Sequence, residues 1–186
     1  MPRLPPFDRC ATCEDLARLP EDVVAEIVDG ELHANPNPAP PVASSVIALG
    51  GTLRRAFGQR GGESWQILPG PELHLGADIL VPGLAGWPLS RLPELPATAY
   101  FSVPPDWVCE IRSSSPASLR ARKMTIYARE CVSRAWLIDP VARNLEVWRL
   151  KDGRWTILAT HIGDQLVRAE PFETLELQLD ALWPRG

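Results

Sequence analysis

The segment Trp107-Val108-Cys109-Glu110-Ile111-Arg112-Ser113 reads as a β-strand with a carboxylate at its centre. Side chains alternate along a strand, so Trp107, Cys109 and Ile111 share one face and Val108, Glu110 and Arg112 the other. A charge among apolar neighbours is costly unless it is paired or holds a metal. Any fold of this chain must therefore bring Glu110 a partner. A salt bridge to a neighbouring arginine is one solution. A second carboxylate and a shared cation is the other.

The surroundings supply candidates for both. Ala77-Asp78-Ile79-Leu80-Val81 is another apolar strand carrying an acid, and Asp78 also suits a capped turn after Gly76. Two carboxylates on neighbouring strands would form an oxygen pair suited to Mg²⁺ or Mn²⁺, since Mg²⁺ favours a few carboxylates plus water and phosphate. Residues 117–132 have helical periodicity. At 100° per residue, Lys123 falls on the face of Leu119, Ile126 and Tyr127, while Arg122, Thr125 and Arg129 fall on a solvated one. A lysine on an apolar stripe either snorkels or reaches a site on the adjacent strand. Asp78, Glu110 and Lys123 converging would be a hydrolytic metal constellation, with the lysine positioning water or stabilising phosphoryl charge.

The rest of the chain frames these elements. A short helix is predicted over 13–19, ended by Pro20. Val23–Val28 and Glu31–Ala34 flank Asp29-Gly30, a strong hairpin signal because both residues tolerate positive φ. A second such turn, Asp152-Gly153, separates Asn144–Leu150 from Arg154–Thr160. A helix is predicted over 43–58, with Val46, Leu49, Leu53 and Phe57 as its stripe. Gly50 and Gly51 each weaken it by about 1 kcal/mol, so packing must hold it. Further strands are predicted at 64–68, 72–75, 77–81, 134–139 and 174–179. Residues 82–105 carry six prolines and read as a long surface loop, in which Trp87 could stack on a base. The expected class is a mixed α/β sheet flanked by helices, with an N-terminal hairpin and a C-terminal β meander. One domain over 13–183 is expected, after a tail at 1–12.

Composition narrows the function. The 186 residues are 45% apolar and 23% charged, enough for a core without disulfide or metal staples. The net charge of −4 argues against a protein that coats nucleic acid or anionic membrane. From Glu110 to Arg134, however, six basic residues face two acids, and Arg54, Arg55 and Arg60 add a second basic cluster. Phosphate contacts by such residues would make binding steeply salt-dependent. Without a transmembrane stretch or signal-peptide core, the expected location is cytoplasmic, with the four cysteines reduced. Cys10-Ala11-Thr12-Cys13 lacks a second metal-spaced pair, and Cys109 and Cys131 read as buried thiols. The scattered His33, His74 and His161 suggest no nucleophilic triad.

Taken in order, "EIVDGEL" at 26–32, "ADILV" at 77–81, "WVCEIRSSSP" at 107–116 and "RKMTIYARECVSRAWLIDP" at 122–140 resemble the Uma-type family of restriction-endonuclease-like proteins. That family lies within the P-D-(D/E)-X-K nuclease superfamily, and the resemblance runs from about residue 13 to 182. It implies a restriction-endonuclease-like core and metal-dependent endonuclease activity on DNA. By that resemblance Asp78 and Glu110 are the metal ligands, Lys123 the catalytic lysine and Glu26 an additional site acid. The superfamily's usual lysine position holds Arg112, which cannot act as a base. Leu119 stands where an Asp often precedes the lysine, Ala77 replaces the Pro before Asp78, and Ala43-Ser44-Ser45 occupies a region where a His is common. These departures make a catalytically inactive binding or regulatory module the alternative reading; a hydrolase of small phosphate esters is a third. A homodimer is expected on the logic that cutting two strands needs two sites.

Overall fold

The structure is a computed structural model that describes residues 10–20, 23–58, 64–112 and 116–184. Residues 1–9 of the expected tail, Arg60 and Ser113 lie outside the described residues. The expected mixed architecture is present, built on two larger sheets and a two-stranded ribbon. After a one-turn helix α1 (Cys13–Leu16), strands β1 (Val23–Val28) and β2 (Glu31–Pro36) form the hairpin. Its turn residues Asp29 and Gly30 both have positive φ, 52° and 78°. Helix α2 (Pro40–Phe57) follows, starting on a proline, whose missing N–H is no loss at a helix's first position. Then come β3 (Trp65–Pro69), β4 (Glu72–Leu75), β5 (Asp78–Leu80), β6 (Leu84–Pro88) and β7 (Tyr100–Phe101). The central strand β8 (Trp107–Ile111) leads through α3 (Ala117–Arg129) to β9 (Arg134–Asp139), and these two strands pair in parallel. Strands β10 (Asn144–Lys151) and β11 (Arg154–Ile162) complete the meander, and β12 (Leu166–Val167) pairs with β13 (Leu177–Gln178).

The larger sheet has the order β11-β10-β9-β8-β6-β3 and the smaller one β2-β1-β5-β4-β7. All five residues of β8 are buried because both its faces are covered. Trp107, Cys109 and Ile111 join Leu49, Leu53 and Phe57 of α2 in one core, and Val108 joins Leu119, Ile126 and Tyr127 of α3 in another. This is the alternation read from the sequence. Packing also answers the doubt over the two glycines in α2, since Leu49 and Leu53 beside them are fully buried.

Four sequence expectations fail here. Residues 82–105 are not one surface loop: β6 lies inside the larger sheet between β8 and β3. Its prolines sit at and before its ends, and Gly86 is accommodated because indole rings close on it from both sides. A Cβ there would stand 3.2 Å from Trp107 and from Trp65. Trp87 is fully buried, donates from Nε1 to the Val103 carbonyl at 2.9 Å and stacks on Phe101, so it offers no face to a base. The strand expected at 174–179 shrinks to β13, because a 3-10 turn at Leu179–Leu182 drops Leu179, Leu182 and Trp183 onto the core. Cys131, read as a buried thiol, is exposed just after α3, whereas Cys109 is buried.

Phe172 binds this C-terminal segment to the sheet. Its ring lies between 4.9 and 5.7 Å from those of Phe57, Trp65, Trp107 and Trp136. Phe172→Ala removes both the buried volume and these edge contacts. It is expected to cost about 3–5 kcal/mol in urea unfolding, with Phe172→Leu costing less than half as much.

Candidate active site

The partner that Glu110 requires is Lys123. The ammonium Nζ lies 2.8 Å from Glu110 Oε1 and 2.7 Å from Oε1 of Glu26, and also donates to the Val81 carbonyl at 3.2 Å. Three elements supply the three charges. Glu110 stands on β8, facing α3. Lys123 comes from the inner face of α3, among Leu119, Ile126 and Tyr127. Glu26 shares its side of β1 with Val24 and Val28, and Val28 is packed in the α3 core. Exposures of 4% for Glu26, 8% for Glu110 and 4% for Lys123 place the whole group out of bulk water.

Hydrogen bonds fix the carboxylates further. The Val81 N–H donates to Glu26 Oε1 at 2.7 Å, and the buried Tyr127 hydroxyl donates to Glu110 Oε1 at 2.7 Å. Both backbone groups of Val81 thus serve the site. Among the described residues, neither Oε2 has a hydrogen-bond donor, and both glutamates line a cleft of about 390 Å³ together with Lys123. Burial, reinforced by the charge of Glu26, raises the Glu110 pKa against the opposing pull of Lys123 and Tyr127. Burial acts to lower the Lys123 pKa, but the two carboxylates more than offset it, so the ammonium is held protonated. Burial also pushes the Tyr127 hydroxyl well up, keeping it a donor.

Sequence and structure part company over Asp78. The structure brings Glu26, Glu110 and Lys123 together and does not bring Asp78 to them. Asp78 is buried on β5, with Oδ1 accepting from the Asp29 N–H at 2.6 Å and Oδ2 from Arg129 Nη2 at 2.9 Å. Three residues of extended chain, about 10 Å, separate it from Val81 at the site. Arg122 and Arg129, expected on a solvated helix face, are partly exposed there and also grip the hairpin side. Arg122 binds Asp29 at 2.8 Å, Glu31 at 2.6 Å and the Val28 carbonyl at 2.6 Å. Asp78 and the two arginines therefore clamp the β1–β2 turn to α3, which holds Glu26 in register with Lys123. Arg112 turns away to Asp139.

The residues missed by sequence reasoning were Val81, whose contribution is backbone and leaves no signal, and Tyr127. The latter stands at i+4 from Lys123, a spacing that puts both on one helix face. A divalent cation is compatible with the donor set: two carboxylates that line one cleft suit Mg²⁺ with its remaining positions filled by water and phosphate. Beside Glu110, the register Leu84–Cys109 continues to Gly83, which lines the cleft but brings no side chain.

The Uma2 family model, described as "Putative restriction endonuclease", matches residues 13–181. The fold is similar to that of a crystallised protein from Anabaena variabilis ATCC 29413, described as "a putative nuclease belonging to DUF820". The TM-score is 0.76 at 20% identity, covering 93% of this chain and 97% of that one. No curated protein matches the chain.

Removing the ammonium tests the electrostatics directly. Lys123→Met leaves two carboxylates facing each other in low dielectric and is expected to cost about 3–5 kcal/mol near neutral pH. Without Lys123 the Glu110 pKa rises further above its unfolded value, so stability falls as pH rises through it. Urea unfolding should therefore find the variant's deficit larger at about pH 8 than at about pH 5. Equal deficits at both would mean that the two glutamates do not share the lysine's charge.

Proposed function

Because the chain belongs to the Uma2 family, we propose that it is a divalent-metal-dependent endonuclease hydrolysing DNA phosphodiester bonds, with Glu26 and Glu110 as the carboxylates that hold the cation. The observation that carries this reading is the convergence of Glu26, Glu110 and Lys123 at the floor of one cleft. A bound Mg²⁺ or Mn²⁺ supplies Lewis-acid stabilisation of phosphoryl charge and lowers the pKa of water. The chain's residues supply the rest. Tyr127 holds Glu110 by Oε1, fixing the carboxylate at the cleft that it lines. Lys123, a donor of three hydrogen bonds, spends all three on Glu26, Glu110 and Val81. It holds the carboxylates side by side, and it reaches a phosphate oxygen only by giving up one of those contacts. Asp78 is a positioning residue in this reading, acting through the hairpin that carries Glu26.

A non-catalytic binding module on the same fold is the second reading. It is favoured by one observation: among the described residues, no three His, Cys, Asp or Glu side chains gather as a metal site.

Mn²⁺ titration and plasmid nicking separate the two readings. The native chain should bind Mn²⁺ and nick supercoiled DNA. Glu26→Gln and Glu110→Gln should each weaken Mn²⁺ binding at least tenfold, and Glu110→Gln and Lys123→Met should slow nicking by at least a hundredfold. Asp78→Asn should leave Mn²⁺ affinity within about threefold of native while costing about 1–3 kcal/mol of stability. Nicking that survives all three site substitutions would sink the assignment, and a native chain that binds no Mn²⁺ would favour the inactive module.

A further inference from the structure

The cleft has the wrong electrostatics for gripping a duplex along its backbone. The strong, salt-dependent grip on a duplex backbone comes from free Lys or Arg side chains beside the site. Among the described residues that line the cleft, Lys123 alone is basic, and it is buried between two acids. The basic run read from the sequence around Glu110 is largely spent in ion pairs. Arg112 is held by Asp139, Arg122 by Asp29 and Glu31, Arg129 by Asp78 and Glu130, and Arg134 by Glu170. Arg54 lies eight residues beyond Val46 on α2, about 12 Å along the helix axis, and neither it nor Arg55 lines the cleft.

What the cleft does offer is an apolar wall beside the charged floor. The early turns of α2 contribute Val42, Val46 and Ile47, faced by Pro36, Pro69 and Pro82. Ile47 is 74% exposed at the rim, although it is a large aliphatic residue. The volume, about 390 Å³, is that of a site enclosing a small group. The nearly buried carboxylates also require a scissile phosphate to enter the cleft. An unpaired nucleotide meets these conditions: its base can pack on apolar side chains at no unpairing cost, and its backbone bends into a cleft more readily than that of a paired strand.

We infer that the substrate is single-stranded or locally unpaired DNA, whose base packs against the Val42–Val46–Ile47 wall while the adjoining phosphate meets the Glu26–Glu110–Lys123 floor. This rests on the phosphodiesterase reading.

The test is fluorescence anisotropy of the full chain in Ca²⁺, with a labelled twelve-nucleotide single strand and the same sequence as a blunt duplex. Nicking and strand cleavage in Mg²⁺ are measured alongside. The single strand should bind at least tenfold more tightly than the duplex. Its log–log salt slope should be shallower than about −2, the mark of few phosphate contacts. Ile47→Glu, at an exposed position, should keep the native urea midpoint yet weaken strand binding at least tenfold, while Ile47→Phe should retain it. Equal or tighter duplex binding, a steep salt slope, strand binding indifferent to Ile47→Glu, or no strand binding at all would each overturn the inference. Duplex bound steeply with salt and cleaved would do so while leaving the phosphodiesterase reading standing. Strand binding lost in Ile47→Glu, with no DNA cleaved, would support the base wall and overturn hydrolysis.

Discussion

A lysine ammonium buried between two carboxylates is the contact around which this molecule is organised. Lys123, Glu26 and Glu110 come from α3, β1 and β8, so the contact ties the small sheet, the large sheet and the helix between them. Three ionised groups out of water are stable only if each is compensated. One positive charge against two negative ones leaves a deficit, which the structure meets with the Val81 N–H, the Tyr127 hydroxyl and an opening to the cleft. That deficit is the ground on which we propose that the site takes up a further cation. The same burial that makes the group expensive makes it chemically useful, because charges in low dielectric act strongly on whatever enters beside them.

Register at this contact depends on charges that never touch the cleft. Asp78, Arg122 and Arg129 hold the hairpin turn against α3, and Asp29 serves them twice, through its N–H and its carboxylate. Arg122 is about a third exposed and Arg129 about half, so solvent screens their share of stability. Their consequence is geometric: a hairpin free to swing would carry Glu26 away from Lys123. These pairs also alter the electrostatic picture. In a run that is basic in sequence, Arg112, Arg122, Arg129 and Arg134 are each paired with an acid.

Much of this was legible before folding was considered. The two Asp-Gly turns specify their hairpins through φ alone, and all four turn residues have positive φ. The face of β8 and the stripe of α3 follow from periods of two and 3.6, so Glu110 and Lys123 emerged as facing candidates. Strand β6 was illegible because Leu84-Ala85-Gly86-Trp87-Pro88 has glycine and proline where local preference disfavours a strand. Burial between β8 and β3, and two indole rings against Gly86, override that preference. Asp78 misled for a related reason, since an acid in an apolar strand announces a buried partner without saying which.

By itself, the sequence determined the class of fold, the hairpins, the central strand and helix, and the necessity that Glu110 find a cation. These properties depend on neighbours in the chain and on the cost of burying a charge. Tertiary structure alone decided which acid joins Glu110. The antiparallel pairing of β1 with β5 puts Glu26 at the Val81 backbone, and Asp78, three residues earlier, faces the hairpin turn instead. It also decided which arginines stay free, because an ion pair between residues distant in sequence exists only once the elements have packed.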